Sequence, residues 1–265
     1  MQALWASIGM LRIGAVATLA ARTVLVGRAV FYLLVVALLW SLWDRVAVER
    51  LPGTLAPLLP LGGLGLYVGV TEWIILSVPS IHLRLEDDIR SGAIEAQLLR
   101  PVPYPLMRVA ETFGAMLVRM AVLGLVGLLG LALSGRAGQP VWVWLSVGLL
   151  GALGGLVGLL LFALVGLCAF WLRRTMPVYL SVQKVCFLLG GLFAPLTLYP
   201  GWLHRIAEAT PFAAQLYWPA AMAMAPGGAT LVRAAAMQSS WIAILALLIC
   251  LLWRRGLQRL LRRGV

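Results

Sequence analysis

The chain has 265 residues, 62% of them hydrophobic and 11% charged, with 28 glycines and 11 tryptophans and a mean hydropathy of +0.98. Soluble globular domains are about half apolar, so this composition excludes one and implies an all-α integral membrane protein. The net charge of +12, from 21 Lys and Arg against nine Asp and Glu, would suit nucleic acid in a soluble chain. Here the cations bracket apolar runs instead of forming a patch, which excludes a nucleic-acid partner and reads as membrane topology.

Residues 1–22 are apolar but interrupted by Arg12 and followed by Arg22 and Arg28, a pattern that predicts an interfacial helix leading into the first span. No basic region precedes the apolar part and no A-x-A site opens a polar mature segment, so this stretch is expected to be retained. A span needs about 20 apolar residues, and six runs meet this: 24–43, 57–80, 105–133, 141–171, 178–198 and 234–253. Residues 199–233 are also apolar, but Pro211, Pro219, Pro226 and the Gly227–Gly228 pair each weaken a helix that lipid cannot repair. That segment is expected to be an outer-face re-entrant or interfacial hairpin, with Trp202, Tyr217 and Trp218 at headgroup depth. Residues 254–265 are a basic tail. Cys168, Cys186 and Cys250 lie inside apolar runs and are expected to pack as small hydrophobes. GxxxG pairs at Gly65 and Gly69, Gly151 and Gly155, and Gly154 and Gly158 allow close helix contacts, within the chain or between two copies.

Charge sorting sets the orientation. With both termini inside, fifteen of the basic residues fall on the inner side and five (Arg45, Arg50, Arg136, Arg205 and Arg233) on the outer, while Arg119 stays within the third span. An inner excess of that size is the signature of cytoplasmic loops.

Four of the nine acids, Glu86, Asp87, Asp88 and Glu95, crowd into LEDDIRSGAIEAQLLRPVPY at 85–104, inside the cytoplasmic region expected over 82–104. Ile81, Leu85 and Ile89 recur every four residues and Glu86 precedes Arg90 by four, so the second span is expected to continue outward as a helix. Gly92 then offers a left-handed stop, and a short helix over Ala93 to Leu99 presents Ile94 and Leu98 on one face before Pro101 and Pro103 end it. Anionic headgroups attract Lys and Arg and repel acids, so this acidic loop fits a protein cleft with an apolar floor and a basic rim better than a lipid surface.

EDDIRSGAIEAQLLRPVPY also resembles the D-I-R-x-G-x-(I/L)-x(3)-L-L-(R/K)-P signature of type-2 ATP-binding-cassette (ABC-2) permeases, in the branch of six-span subunits served by a separate ATPase. GGLFAPLTLYPGWLHRIAEATPF is similar to that branch's second shared region, where span five meets the outer hairpin. The resemblance implies that Ala93 to Leu99 is a coupling helix seated in a nucleotide-binding subunit, with Asp88, Ile89, Arg90, Gly92, Leu98, Leu99, Arg100 and Pro101 as the positions carried over. It further implies a multi-pass protein of a prokaryotic inner membrane with both termini cytoplasmic. Two permeases, identical or paralogous, would pair with a dimer of ATPase subunits within membrane lipid.

This chain itself lacks a P-loop: its one lysine, Lys184, follows no glycine-rich stretch. No Ser, His and Asp set has a recognisable order, and His82 and His204 have no metal-ligand spacing. The chain is therefore expected to bind no cofactor and to catalyse nothing, with ATP and Mg on the partner ATPase. Charges inside spans are costly and mark function by default, which makes Glu72, Glu111 and Arg119 candidates for the substrate pathway. Arg108 and Glu111 stand three apart on one helical face, as a pair would. Glu72 and Arg119 either pair or line a cavity.

The resulting expectation is the permease subunit of an ATP-driven exporter of amphiphilic or hydrophobic molecules. A self-contained ion-coupled carrier using Glu72 or Glu111, and a membrane scaffold without transport, are the alternatives. The topology has a direct check: a cysteine placed at Ser91 in a cysteine-free background should resist an impermeant thiol reagent in intact cells and react once the membrane is opened, and labelling of intact cells reverses the orientation.

Overall fold

The computed structural model describes residues 2–49, 63–98, 102–135 and 138–263, and among them every regular element is a helix. α1 (Gln2–Ala20) and α2 (Arg22–Glu49) are separated by a one-residue break at Ala21. α3 (Gly63–Ser77) leads through Pro79 into α4 (Ile81–Arg90), and α5 (Ala93–Leu98) follows. The long α6 (Tyr104–Leu133) and α7 (Val141–Leu167) come next, then α8 (Met176–Leu189), and three short helices, α9 (Gly201–Glu208), α10 (Pro211–Gln215) and α11 (Tyr217–Met224), precede α12 (Gly228–Arg263).

Five segments are long and apolar enough to cross a membrane: Arg22–Trp43, Gly63–Arg90, Tyr104–Leu133, Val141–Phe170 and Gly228–Arg262. The run expected as a span over 178–198 is different. α8 has 14 residues, about 21 Å at 1.5 Å per residue, and the chain then unwinds through Gly190–Pro195 into a single turn at Leu196–Leu198. Gly191 takes a positive φ of 69°, open to glycine without a Cβ clash. Unwound backbone at membrane depth needs donors from the protein, and α2 and α3 supply them. The Tyr67 hydroxyl donates to the Gly191 carbonyl at 2.7 Å, Thr71 Oγ1 to Leu192 at 3.1 Å and Trp43 Nε1 to Phe193 at 3.0 Å. Hydropathy continues through this break and cannot reveal it. The expected second span begins at residue 57, outside the described residues.

The hairpin expected over 199–233 folds into the bundle. α10 and α11 pack against α3 and α7, and Tyr217 and Trp218 are buried there while Trp202 on α9 stays exposed. The pair expected at headgroup depth therefore forms part of the core, because Gly154 and Gly158 on α7 leave room for Gln215 between the two helices. The other paired glycines also serve packing inside the chain: Gly65 lies against the Trp40 ring, Gly151 against Trp73 and Gly155 against Met116. α12 begins six residues before the expected sixth span and runs ten beyond it. Arg254, Arg255 and Arg262 lie on its outer side while Gly256 meets the Phe170 ring, so the basic tail is a continuation of the helix.

Two apolar clusters fill the molecule. One, around Tyr67, Ile74, Met116, Leu150, Leu216 and Trp218, occupies the half that holds the short helices. The other, around Ile81, Leu85, Ile94, Tyr104, Phe162 and Phe170, occupies the basic end, where α4, α5, the start of α6 and the tail of α12 meet.

α1 lies along α6 in the most extensive helix contact among the described elements. The approach is backbone to backbone: a Cβ at Gly14 would overlap the Glu111 carbonyl, and one at Gly114 would overlap the Leu11 carbonyl. Ile8, Ile13, Val16 and Leu19 remain exposed, and Arg12 is exposed among them. Gly114→Ala should force the two helices apart at a cost of about 1–3 kcal/mol, lowering the thermal midpoint in detergent by several degrees. Gly9→Ala, with open space around it, should leave the midpoint level or slightly raised through helix propensity. Equal midpoints for both variants would show that the Gly14–Gly114 crossing does not hold α1.

Candidate functional site

The acidic region is built from α4 outward. Ile81 and Leu85 point inward with His82 and Glu86, leaving Leu83, Arg84, Asp87 and Arg90 exposed. Leu85 fits against Gly166 on α7, where a side chain would collide, and His82 stacks on Tyr179 of α8 with ring centroids 3.7 Å apart. α4 stops as expected: Gly92 has a φ of 74°, while Ser91 closes the last turn by donating its N–H to the Asp87 carbonyl at 2.9 Å. α5 then turns back, and the Glu95 N–H donates to the Gly92 carbonyl at 3.0 Å.

Expected as an exposed anchor for a partner, Ile94 is instead fully buried in this chain's own core with Leu85, Tyr104 and Phe170. The physical reason is that α5 is too short to stand free, and the buried Ile94 side chain fastens it to α4 and α6. What α5 presents outward is Ala93, Glu95 and Ala96. The Leu98 side chain and all of Leu99, Arg100 and Pro101 lie outside the described residues.

The four acids divide into two pairs with different work. Glu86 is buried and accepts from the Thr175 N–H at 2.9 Å and from Thr175 Oγ1 at 2.5 Å, in the connection between α7 and α8. It also pairs with Arg90 at 3.3 Å, the expected i,i+4 contact, and with Arg174 at 3.9 Å. Asp88 accepts from the Tyr104 hydroxyl and meets Arg108 at 2.8 Å, which ties α4 to α6. Asp87 and Glu95 are exposed and enter no ion pair among the described residues. Ile89, half-buried, borders a small cavity with Arg90, Phe170 and Arg259.

Arg108 continues the chain of charges to Glu111 at 2.8 Å, and Glu111 also holds Arg84 at 2.8 Å. Glu111 is thus engaged by two guanidiniums at the basic end. Sequence reasoning did not find Thr175, Tyr104 or Arg174. The only local signal was the four-residue spacing from Tyr104 to Arg108, since the contacts to Asp88 and Glu86 span 16 and 89 residues.

Glu72 and Arg119 are not brought together. Among the described residues neither makes an ion pair, and the charges that act on Arg119 are Arg28 and Arg84. An apolar cavity of about 440 Å³ lies between α2, α3, α6 and α7, within the roughly 300–1,000 Å³ typical of small-molecule sites. Tyr32, Trp40, Trp73 and Trp144 wall it, and glycines such as Gly69 and Gly127 open it. Arg119 and Glu111 line a different cavity, beside α1, and Glu72 lines neither.

A family model described as "ABC-2 family transporter protein" matches residues 63–264, a stretch that contains α3 through α12. No curated protein and no solved structure matches the chain.

The division of the acids can be read out by adjacent substitutions. Asp88→Asn should lose a charge-assisted contact worth about 1.5–3 kcal/mol and leave Tyr104 and Arg108 short of an acceptor, lowering the thermal midpoint in detergent. Asp87→Asn should leave it unchanged. If both behave alike, Asp88 does not fasten α4 to α6.

Proposed function

This chain belongs to the ABC-2 family of transporter proteins, and we propose that within it the chain is the permease subunit of an ATP-driven exporter whose energy arrives through α4 and α5 from a separate ATPase. The transport permease is the family's role. The ATPase dimer, a second permease, an inner-membrane setting with both termini cytoplasmic, and ATP with Mg on the partner are the further parts of the proposal.

The observation that carries it is the junction made by Glu86 and Asp88. α4 with α5 is a short, stiff unit whose inner side is bonded to the α7–α8 connection through Thr175 and to α6 through Tyr104 and Arg108. Its outer side keeps Asp87, Ser91, Ala93, Glu95 and Ala96 exposed. A partner that pulls on that outer face would therefore move the ends of three long elements together. Unpaired carboxylates on that face suit a basic rim, where charge governs encounter and register more than affinity. The docking surface of this reading is the Ala93–Glu95–Ala96 face of α5, with Ile94 holding the helix from behind.

The apolar cavity between α2, α3, α6 and α7 supports a hydrophobic or amphiphilic substrate, since its walls offer aromatic and glycine surface. The self-contained carrier loses one of its two proton sites in this reading, because Glu111 is shared by Arg84 and Arg108. Glu72, buried in α3 without an ion pair among the described residues, is the residue on which that alternative rests.

Co-purification of the permease with an ATPase subunit encoded beside it tests the proposal. Asp87→Lys with Glu95→Lys should reduce ATPase retention about tenfold while membrane expression stays normal, because both side chains lie outside the bonded core. Full retention in that variant removes α5 as the docking face. Transport into ATP-free vesicles that persists with Glu72 intact and stops in Glu72→Gln would favour the ion-coupled carrier instead.

A further inference from the structure

The cavity beside α1 has a composition that the transport reading does not use. It is about 360 Å³ in volume and lies among α1, α2, α4 and α6, with Arg28, Arg84, Arg119 and Glu111 on its walls and Thr18 and Ser80 beside them. Its one acid is already taken: Glu111 is held by Arg84 and Arg108, each at 2.8 Å, and Asp88 holds the other side of Arg108. Two carboxylates therefore balance two guanidiniums, and Arg28 and Arg119 are left over. Arg119 makes no hydrogen bond or ion pair among the described residues, and its Nη1 is buried. Arg28 spends one nitrogen on the Leu76 carbonyl at 2.9 Å, while its Nε is buried and unpartnered. Two like charges facing one pocket, with buried donors unsatisfied, cost free energy unless something negative sits between them.

A second observation points the same way. The ten-residue α4 starts at this cavity, with Pro79, Ser80, Ile81 and Leu83 on its wall. Ser80, at the N-cap position, makes no side-chain capping bond, and although the Ile81 N–H is taken by the Pro79 carbonyl at 2.9 Å, the opening turn of α4 still presents the N–H groups of His82 and Leu83 and the positive end of its dipole. Apart from Thr112, whose hydroxyl is spent on the Arg108 carbonyl at 2.7 Å, the rest of the wall is apolar, with Ala17, Val24, Leu25 and Ala115.

We infer that this cavity binds a phosphate oxyanion, gripped by Arg28 and Arg119 and by the opening turn of α4. The planar guanidiniums are suited to paired hydrogen bonds with phosphate oxygens, and the apolar wall suits the glyceryl and acyl stem of a phospholipid. The inference stands apart from the ATPase proposal, since no residue of the exposed α5 face takes part.

Purified full-length permease in detergent, titrated separately with dioleoylphosphatidylglycerol, with dioleoylglycerol lacking the phosphate, and with inorganic phosphate, gives the test. Native mass spectrometry reads the adducts and a thermal melt reads the stabilisation. Wild type should hold phosphatidylglycerol and gain about 5 °C near saturation, with no gain from dioleoylglycerol. Arg119→Met should bind at least about tenfold more weakly, and Arg119→Lys should keep part of the affinity. In ligand-free detergent Arg119→Met should melt no lower than wild type, because it removes an uncompensated charge, so weak binding in that variant is not unfolding. Arg205→Met, at the exposed α9, should match wild type throughout. A gain with phosphatidylglycerol but not inorganic phosphate assigns the source to a lipid headgroup, and a gain with both assigns it to the oxyanion alone; either supports the site. Equal response to dioleoylglycerol and phosphatidylglycerol with none to inorganic phosphate, or binding by Arg119→Met equal to wild type, overturns it.

Discussion

The carboxylates of Glu86 and Asp88 are the fixed points around which the basic end is assembled. They leave a ten-residue helix in opposite directions, one toward Thr175 and Arg174 and the other toward Tyr104 and Arg108. A carboxylate taken out of water must be met by donors, so each acid fixes the position of the element that meets it. The α7–α8 connection and the start of α6 are brought against α4 in this way, the tail of α12 packs on them through Trp253 and Gly256 against Tyr104 and Phe170, and Ile94 is buried in the same apolar cluster.

The same accounting governs the other half of the molecule with neutral groups. α8 ends early, and the carbonyls it frees are taken by Tyr67, Thr71 and Trp43. Gln238 on α12 donates to the carbonyls of Leu150 and Ala214, across the junction of α7 and α10. Each departure from regular helix inside the bundle is thus accompanied by a polar side chain that reaches it, as an apolar surround demands. α3 supplies two of those side chains and packs on α2, α6, α7 and α11, which makes it the element most exposed to any change at its lower end, where Pro79 joins it to α4.

For a transporter of this family, that connection has a mechanical consequence. A displacement of α4 is passed on to its neighbours, because its inner face is bonded on two sides and its upper end joins α3 through only the three residues 78–80. On the outer face Asp87 and Glu95 enter no ion pair among the described residues. The proposed coupling therefore rests on an asymmetry between a bonded and an unbonded face of one short unit. The cavity between Arg28 and Arg119 adds a point where charge, and not contact, is left unbalanced next to the same helix.

Composition and the spacing of apolar residues by themselves determined that this is an all-helical membrane protein; the positive φ at Gly92 followed from glycine's freedom at a helix end, and the Glu86–Arg90 and Arg108–Glu111 pairs from intervals of one helical turn. Those features are local, and local spacing fixes them. Tertiary structure alone decided which acids of EDDIRSGAIE are bonded and which are free, since Asp87 and Asp88 are chemically alike and only the helix phase against α6 separates them. It also decided that Ile94 faces inward, that α8 breaks where hydropathy is unbroken, and that Arg119 stands beside Arg28 and Arg84 and away from Glu72. Each of these depends on contacts between residues distant in the chain, where the cost of an unsatisfied buried group, and no sequence interval, selects the partner.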